Sequence, residues 1–317
     1  MAFDIGVVGL GAIARKQHVP SIAKNGDFRL VAAASLGGAG LATEEGGVPV
    51  YGDHRAMLAA HPGIVAVVVC TPPGARLAIA AEVMATGRAV MLEKPPAATP
   101  GGLAHLAGVA AAQGVVLHTA WHSQYNEAVD LAREMLRGQR IRRVEMVWKE
   151  DVHRWHPGQQ WIWEAGGFGV FDAGINGLSI LTKILDRPLF AVSAVLHVPV
   201  DAAVPVAAQV VMSDGGEGTI TGDFDWGWQG ADRREIVIET QAGQRIELLA
   251  SAARMVVDGV VIRDGVHGGG RDEYGAIYRD FAGLLGQGRS SVDGAPLGLV
   301  ADIFLVGQAV AAPAVRR

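Results

Sequence analysis

The chain has 317 residues with 27 Lys and Arg against 32 Asp and Glu, a net charge of -5. No basic block stands out, so the electrostatic footprint of a nucleic-acid groove is missing. No uncharged apolar run of roughly 18 residues occurs, which excludes a membrane-spanning helix, and the one cysteine, Cys70, cannot close an internal disulfide and fits a reducing compartment.

The length predicts two domains, and a start without a basic n-region predicts no signal peptide, so the expectation is a soluble cytoplasmic protein. Ile5 to Leu10 is a short apolar run and Ala12 to Lys24 carries helical spacing, so strand, turn and helix follow in that order. Between them lies Gly9-Leu10-Gly11-Ala12-Ile13-Ala14, a dinucleotide fingerprint with alanine in its third small position. Gly9 permits the tight turn, Gly11 lets a pyrophosphate approach the backbone, and Ala14 lets helix and strand pack closely. The N–H groups around Ala12 and Ile13 open the helix toward phosphate. The next strand, Phe28 to Ala34, ends ~20 residues past the glycines, where a carboxylate would hold the ribose 2′-hydroxyl of NAD. Ala34-Ser35-Leu36-Gly37-Gly38 stands there, with no acid and no arginine. Ser35 suits either a hydroxyl or a phosphate, so NAD and NADP both stay open, with NADP slightly favoured.

The alternation runs on through helix 53–60, strand 64–69, helix 75–86, strand 89–92, helix 99–113 and strand 115–119. Continuously apolar strands alternating with helices predict a parallel sheet covered on both faces, the doubly wound Rossmann arrangement. Ligands of such sheets lie beyond the C-terminal strand ends. That rule selects Gly9 to Ala14, Ser35, Cys70-Thr71-Pro72, Glu93-Lys94-Pro95-Pro96 and Trp121-His122. Cys70 reads as a small buried hydrophobe at such an end rather than a nucleophile. Lys94 is held rigidly by the two prolines after it, and Lys94–Pro95 is expected to be cis.

Past Asn126 the pattern changes, and the chain divides into a dinucleotide domain, 1–122, and a second domain, 123–317, whose last helix is free to pack back on the first. Helix 127–137 leads to strand 143–150 and then to a stretch with four of the seven tryptophans, Trp148, Trp155, Trp161 and Trp163. Beside them stand Glu150, Asp151, His153, His156, Glu164, Asp172 and Asn176. Indoles mixed with hydrogen-bonding groups suit a ligand that is polar at its edges and apolar on its C–H faces, such as a sugar. A helix from about Val170 to Leu185 places Asp172 and Asn176 on one face, four residues apart. The segments 207–212, 218–226, 235–240 and 245–249 predict antiparallel strands, and 274–285 and 297–311 predict closing helices. The second domain is thus α+β with an open, mainly antiparallel sheet, whose exposed face suits a homo-oligomer. His118 and His122 are four apart, but His118 falls in a strand, where that spacing does not bring two rings to one metal, and no metal is expected.

The fingerprint, Glu93-Lys94-Pro95 and Gly166-Gly167-(x)4-Asp172-Ala173-Gly174-Ile175-Asn176, in this order, resemble the Gfo/Idh/MocA oxidoreductases over essentially the whole chain. The segment from Trp148 to Asn176 is similar to the bacterial L-arabinose/D-galactose 1-dehydrogenase branch. The resemblance implies oxidation of an aldose at C1 with hydride transfer to NAD(P). It implies Lys94 and Asp172 in proton transfer, and Glu150, His156, Asn176 and His122 on the sugar, with Trp155 or Trp163 stacked on a sugar face; an exchange of roles between Glu150 and Asp172 stays open. The broader family carries histidine where Asn176 stands, and an amide cannot take a proton, so the base role shifts elsewhere. Another polyol or aldose, or a cofactor-binding regulator without chemistry, are the rival readings.

Overall fold

The computed structural model describes residues 2–36, 47–265 and 272–315, so Gly37 and Gly38 lie outside the described residues. The chain divides into two compact units, Met1–His122 with Asp272–Gly294, and Ser123–Arg271 with Ala295–Arg317.

In the first unit the strands are β1 (Phe3–Val8), β2 (Phe28–Ala34), β3 (Val50–Tyr51), β4 (Ala66–Val69), β5 (Ala89–Glu93) and β6 (Leu117–Ala120). They form one sheet in the order β3-β2-β1-β4-β5-β6, and every pair is parallel. The order reverses at β1, next to the glycine turn, which is where a doubly wound sheet opens its ligand crevice. The helix after β1 starts as one π turn (Ala14–His18) and continues as α1 (Val19–Lys24). Helices α2 (His54–Ala60), α3 (Pro73–Ala85) and α4 (Pro100–Gln113) follow. Asp53 caps α2 by accepting from the Ala56 N–H at 2.8 Å, and Thr99 caps α4 by accepting from the Gly102 N–H at 3.1 Å. Prolines at the first helical positions of α3 and α4 lose no hydrogen bond there.

The second unit carries α5 (Val129–Leu136), β7 (Ile141–Lys149), the short α6 (Val152–Trp155) and α7 (Phe171–Ile184). Then come β8 (Phe190–Pro199), β9 (Ala207–Ser213), β10 (Thr219–Asp225), β11 (Arg233–Thr240), β12 (Arg245–Leu249), β13 (Arg254–Val257) and β14 (Val260–Arg263). With β15 (Gly307–Ala312) they make a sheet in the order β14-β13-β12-β11-β7-β10-β9-β8-β15. It is mixed: β7–β10 and β8–β15 are parallel and the other pairs antiparallel. Strict alternation along β7 and β10 buries Val144, Met146, Trp148, Ile220 and Phe224 on one face. Helix α7 lies on that face, close enough that a Cβ on Gly174 would come within 2.6 Å of the Phe224 ring.

One expectation needs correction. The segment expected as one helix from 297 to 311 splits into α9 (Ala295–Val306) and the strand β15. Gly307 sits at the break, where a Cβ would meet Leu196 at 2.6 Å and the Ile303 carbonyl at 2.7 Å, so the tight turn needs glycine. Helix α8 (Glu273–Gln287) falls within the first unit and α9 within the second. Phe28, Tyr278 and Phe281 make an aromatic cluster in the first unit, and Trp121 Nε1 donates to the Asp293 carbonyl at 2.9 Å.

Candidate active site

In the first unit the predicted cofactor residues share one rim. Gly9 has φ +92°, and a Cβ there would lie 2.8 Å from the Thr71 nitrogen, so only glycine fits where the β1 turn meets the β4 turn. Gly11 is different, since a Cβ on it would meet nothing within 4 Å. Its glycine leaves open space beside the backbone, which is the room a pyrophosphate needs. Ser35 is fixed by its N–H donating to the Tyr51 carbonyl at 2.9 Å, just past β2. Cys70, Thr71 and Pro72 follow β4, and Glu93 closes β5 with Lys94 next to it. These residues fit a nicotinamide dinucleotide in chemistry and in the strand-end positions they hold.

A buried polar network lies beneath Lys94. Arg76 on α3 is buried and donates to the carbonyls of Thr71, Glu93 and Pro95, tying the β4 turn to the β5 turn. The Lys94–Pro95 peptide is cis, as the sequence reading expects. The Glu93 carboxylate, 2 % exposed, accepts from the Tyr274 hydroxyl at 2.6 Å and lies 3.4 Å from His18 Nε2. His18 Nδ1 meets the Tyr278 hydroxyl at 2.9 Å. Burial pulls Glu93 toward protonation, but the hydrogen bond and charge of His18, with His122 and Lys94, hold it down to about 2. Burial likewise works against a charge on His18, while Cys70, Tyr278 and Glu93 raise it well above the ordinary histidine range. The strand end that carries Lys94 is therefore built over a buried ion pair. His122 is anchored by Glu273 at 2.7 Å and stacked on Tyr274, in the same unit. His118 is buried against Phe281, burial pushes it down to about 4, and no metal-holding group of three His, Cys, Asp or Glu occurs among the described residues.

In the second unit, Asp172 opens α7 and is 2 % exposed. Its Oδ2 lies 3.5 Å from His156 Nε2, and His156 Nδ1 lies 3.5 Å from Gln159 Oε1. Asn176 stands one turn further along α7. Glycines set this geometry: a Cβ on Gly167 would strike the Trp161 carbonyl at 2.5 Å, and Gly166 has φ +88°. The turn before Asp172 is thereby folded tightly under the tryptophan loop.

Glu150 and two tryptophans make protein contacts of their own. Glu150 is buried, its Oε1 accepting from Trp226 Nε1 at 3.2 Å and its Oε2 from Arg234 at 2.7 and 2.8 Å. Each oxygen accepts from a protein donor, so Glu150 ties the loop to Trp226 and to β11. Trp163 is 5 % exposed and packs on Trp226 with ring centroids 5.5 Å apart, which makes it core rather than a stacking platform. Trp155 is 41 % exposed, but the guanidinium groups of Arg154 and Arg234 lie 5.3 and 4.9 Å from its ring centroid. Trp226, Arg234, Arg76, His18 and Tyr274 escaped the sequence reading. Arg234 left a signal: in Arg234-x-Ile236-x-Ile238 it occupies an inward strand position, and an inward arginine demands a buried acid. The others carry none that spacing alone reveals.

Residues 3–121 match the family described as "Oxidoreductase family, NAD-binding Rossmann fold", Gfo/Idh/MocA. Over 98 % of this chain and 97 % of the relative, the sequence is 39 % identical to a galactose 1-dehydrogenase of Pseudomonas fluorescens. The crystal structure of a D-galactose-1-dehydrogenase protein from Rhizobium etli is 42 % identical, with TM-score 0.91, covering 99 % of this chain and 98 % of that one. A 3-ketoreductase from Actinomadura kijaniata, solved with NADP and TDP-benzene, shares the fold at 18 % identity and TM-score 0.86, over 99 % of this chain and all of that one.

Proposed function

The chain belongs to the NAD-binding Gfo/Idh/MocA oxidoreductases, and from that premise we propose that it is an NAD(P)-dependent aldose 1-dehydrogenase that takes D-galactose, and L-arabinose with it, to the lactone. The likeness to two galactose 1-dehydrogenases along nearly the entire chain carries this reading. The two sugars share the ring configuration from C1 to C4, so a site that grips those hydroxyls accepts both.

The residues that would hold the cofactor are Gly9, Gly11, Ala12, Ile13, Ser35, Cys70, Thr71, Pro72, Glu93 and Lys94. Bound there, the oxidised nicotinamide supplies the hydride acceptor. Lys94 and Asp172 share the removal of the 1-hydroxyl proton, with Lys94 polarising that oxygen. His156, Asn176 and His122 bind the remaining hydroxyls. Ser35, with no acid beside it, leaves room for a 2′-phosphate and favours NADP slightly. The polar and valine-bearing face of the second sheet, with Val147, Val211 and Val237 pointing away from α7, is the surface through which a homo-oligomer forms.

An aldose panel with both cofactors, followed by the absorbance of reduced nicotinamide, tests the reading. Galactose and arabinose are turned over, and D-glucose, the C4 epimer, falls about ten- to hundred-fold in kcat/KM, since one mispaired hydroxyl costs roughly 1.5–3 kcal/mol. Reduction by no sugar in the panel would reject the assignment.

A further inference from the structure

Asp172 is 3 % exposed at its side chain, and the His156 ring against it is 20 % exposed. A proton that reaches a buried carboxylate has to leave before the next turnover, and a group between the acid and solvent is the simplest exit. His156 has the form for that task. Its Nε2 lies 3.5 Å from Asp172 Oδ2, and its Nδ1 lies 3.5 Å from Gln159 Oε1, so each ring nitrogen faces an oxygen acceptor. A neutral ring that donates Nδ1–H to Gln159 Oε1 leaves its Nε2 lone pair turned to Asp172. Trp226 supports the ring, with centroids 5.1 Å apart, and Trp226 is itself fixed by its bond to Glu150. The imidazole is thus held by a buried aromatic and does not simply swing on an exposed loop. The Glu150 oxygens accept from Arg234 and Trp226, and Asn176, an amide, takes no proton.

We propose that His156 is a proton relay for Asp172, rather than only a contact for the sugar. The inference rests on the dehydrogenase reading above. The 1-hydroxyl O–H bond breaks and its proton goes to the Asp172 carboxylate. Asp172 then gives that proton to the free Nε2 of a ring that carries its own proton on Nδ1, the imidazolium releases its Nδ1 proton to water, and proton exchange of the neutral ring with water restores the Nδ1–H tautomer, so that Asp172 ends as the carboxylate and His156 as it began.

The test is His156→Ala in the full-length enzyme, assayed with galactose and NADP or NAD, with and without added imidazole. A relay predicts kcat down at least about tenfold, galactose KM changed less than threefold, and several-fold recovery of kcat as imidazole rises, while wild type does not respond to imidazole. A sugar contact alone predicts raised KM with kcat kept and no response to imidazole, and that result overturns the relay. His156→Gln, which keeps bulk and hydrogen bonding, guards against misfolding: it shows the same fall in kcat if the relay holds, and normal kcat in it refutes the relay. A wild-type enzyme inactive on every aldose rejects the dehydrogenase reading and the relay with it, whereas active wild type with a KM-only variant rejects the relay alone.

Discussion

Lys94 gains its position from what lies under it. Arg76 binds the carbonyls on either side of it, and the Glu93–His18 pair fills the space below the strand end. Lys94→Ala should leave this scaffold intact and lower kcat at least about 10²-fold with cofactor affinity largely kept, as steady-state kinetics and cofactor titration will tell; near-normal kcat would make Lys94 a structural cation. The pair beneath it gives a pH signature. Glu93 is lowered from 4.5 to about 2, so its contribution to stability is present above the unfolded value and is lost as pH falls from there toward 2. His18 is raised above 6.5, so its contribution is full below that value and is lost as pH climbs through the folded one. Thermal unfolding across pH should therefore fall more steeply on the acid side in wild type than in Glu93→Gln; parallel curves would show that the pair adds nothing.

At the scale of elements, α7 is held on the second sheet by its glycines. A Cβ on Gly177 would press on Met146 and come within 2.5 Å of the Trp148 ring. Gly177→Ala should cost about 1–3 kcal/mol of stability, read from chemical denaturation, because the ring sits in a filled core and α7 would have to lift. A loss under half of that would mean the helix shifts freely. The same glycines explain what sequence made legible. Apolar strands, capped helices and the Gly9–Gly11 turn declare themselves through local chemistry, and so did the placement of Asp172 one helical turn before Asn176. The strand β15 did not, because Gly307-Gln-Ala-Val-Ala-Ala reads equally well as the end of an apolar helix, and only its parallel pairing with β8 decides it. The surroundings of Trp163 and Glu150 were hidden for a related reason: their types suit a sugar, and what the ring and the carboxylate touch in the fold depends on Trp226 and Arg234, which lie more than sixty positions away in sequence.

For the whole molecule, one face of the second sheet carries Val147, Val195, Val211 and Val237 among Glu145, Gln209, Asp223 and Arg233. Apolar residues rimmed by charges mark an association surface, and a symmetric dimer is the commonest way to cover one. Sedimentation should give a dimer or larger for wild type and a smaller species for Val211→Arg with Val237→Arg; a monomeric wild type would remove the proposal. The account turns on hydride leaving C1 of the sugar. D-Galactose carrying deuterium at C1, incubated with the enzyme and oxidised cofactor, tests that directly by mass spectrometry and NMR of both products. The expected result is a lactone without deuterium and a reduced cofactor with one deuterium at nicotinamide C4. Reduced cofactor without the label, or a product that keeps its C1 deuterium, would contradict it.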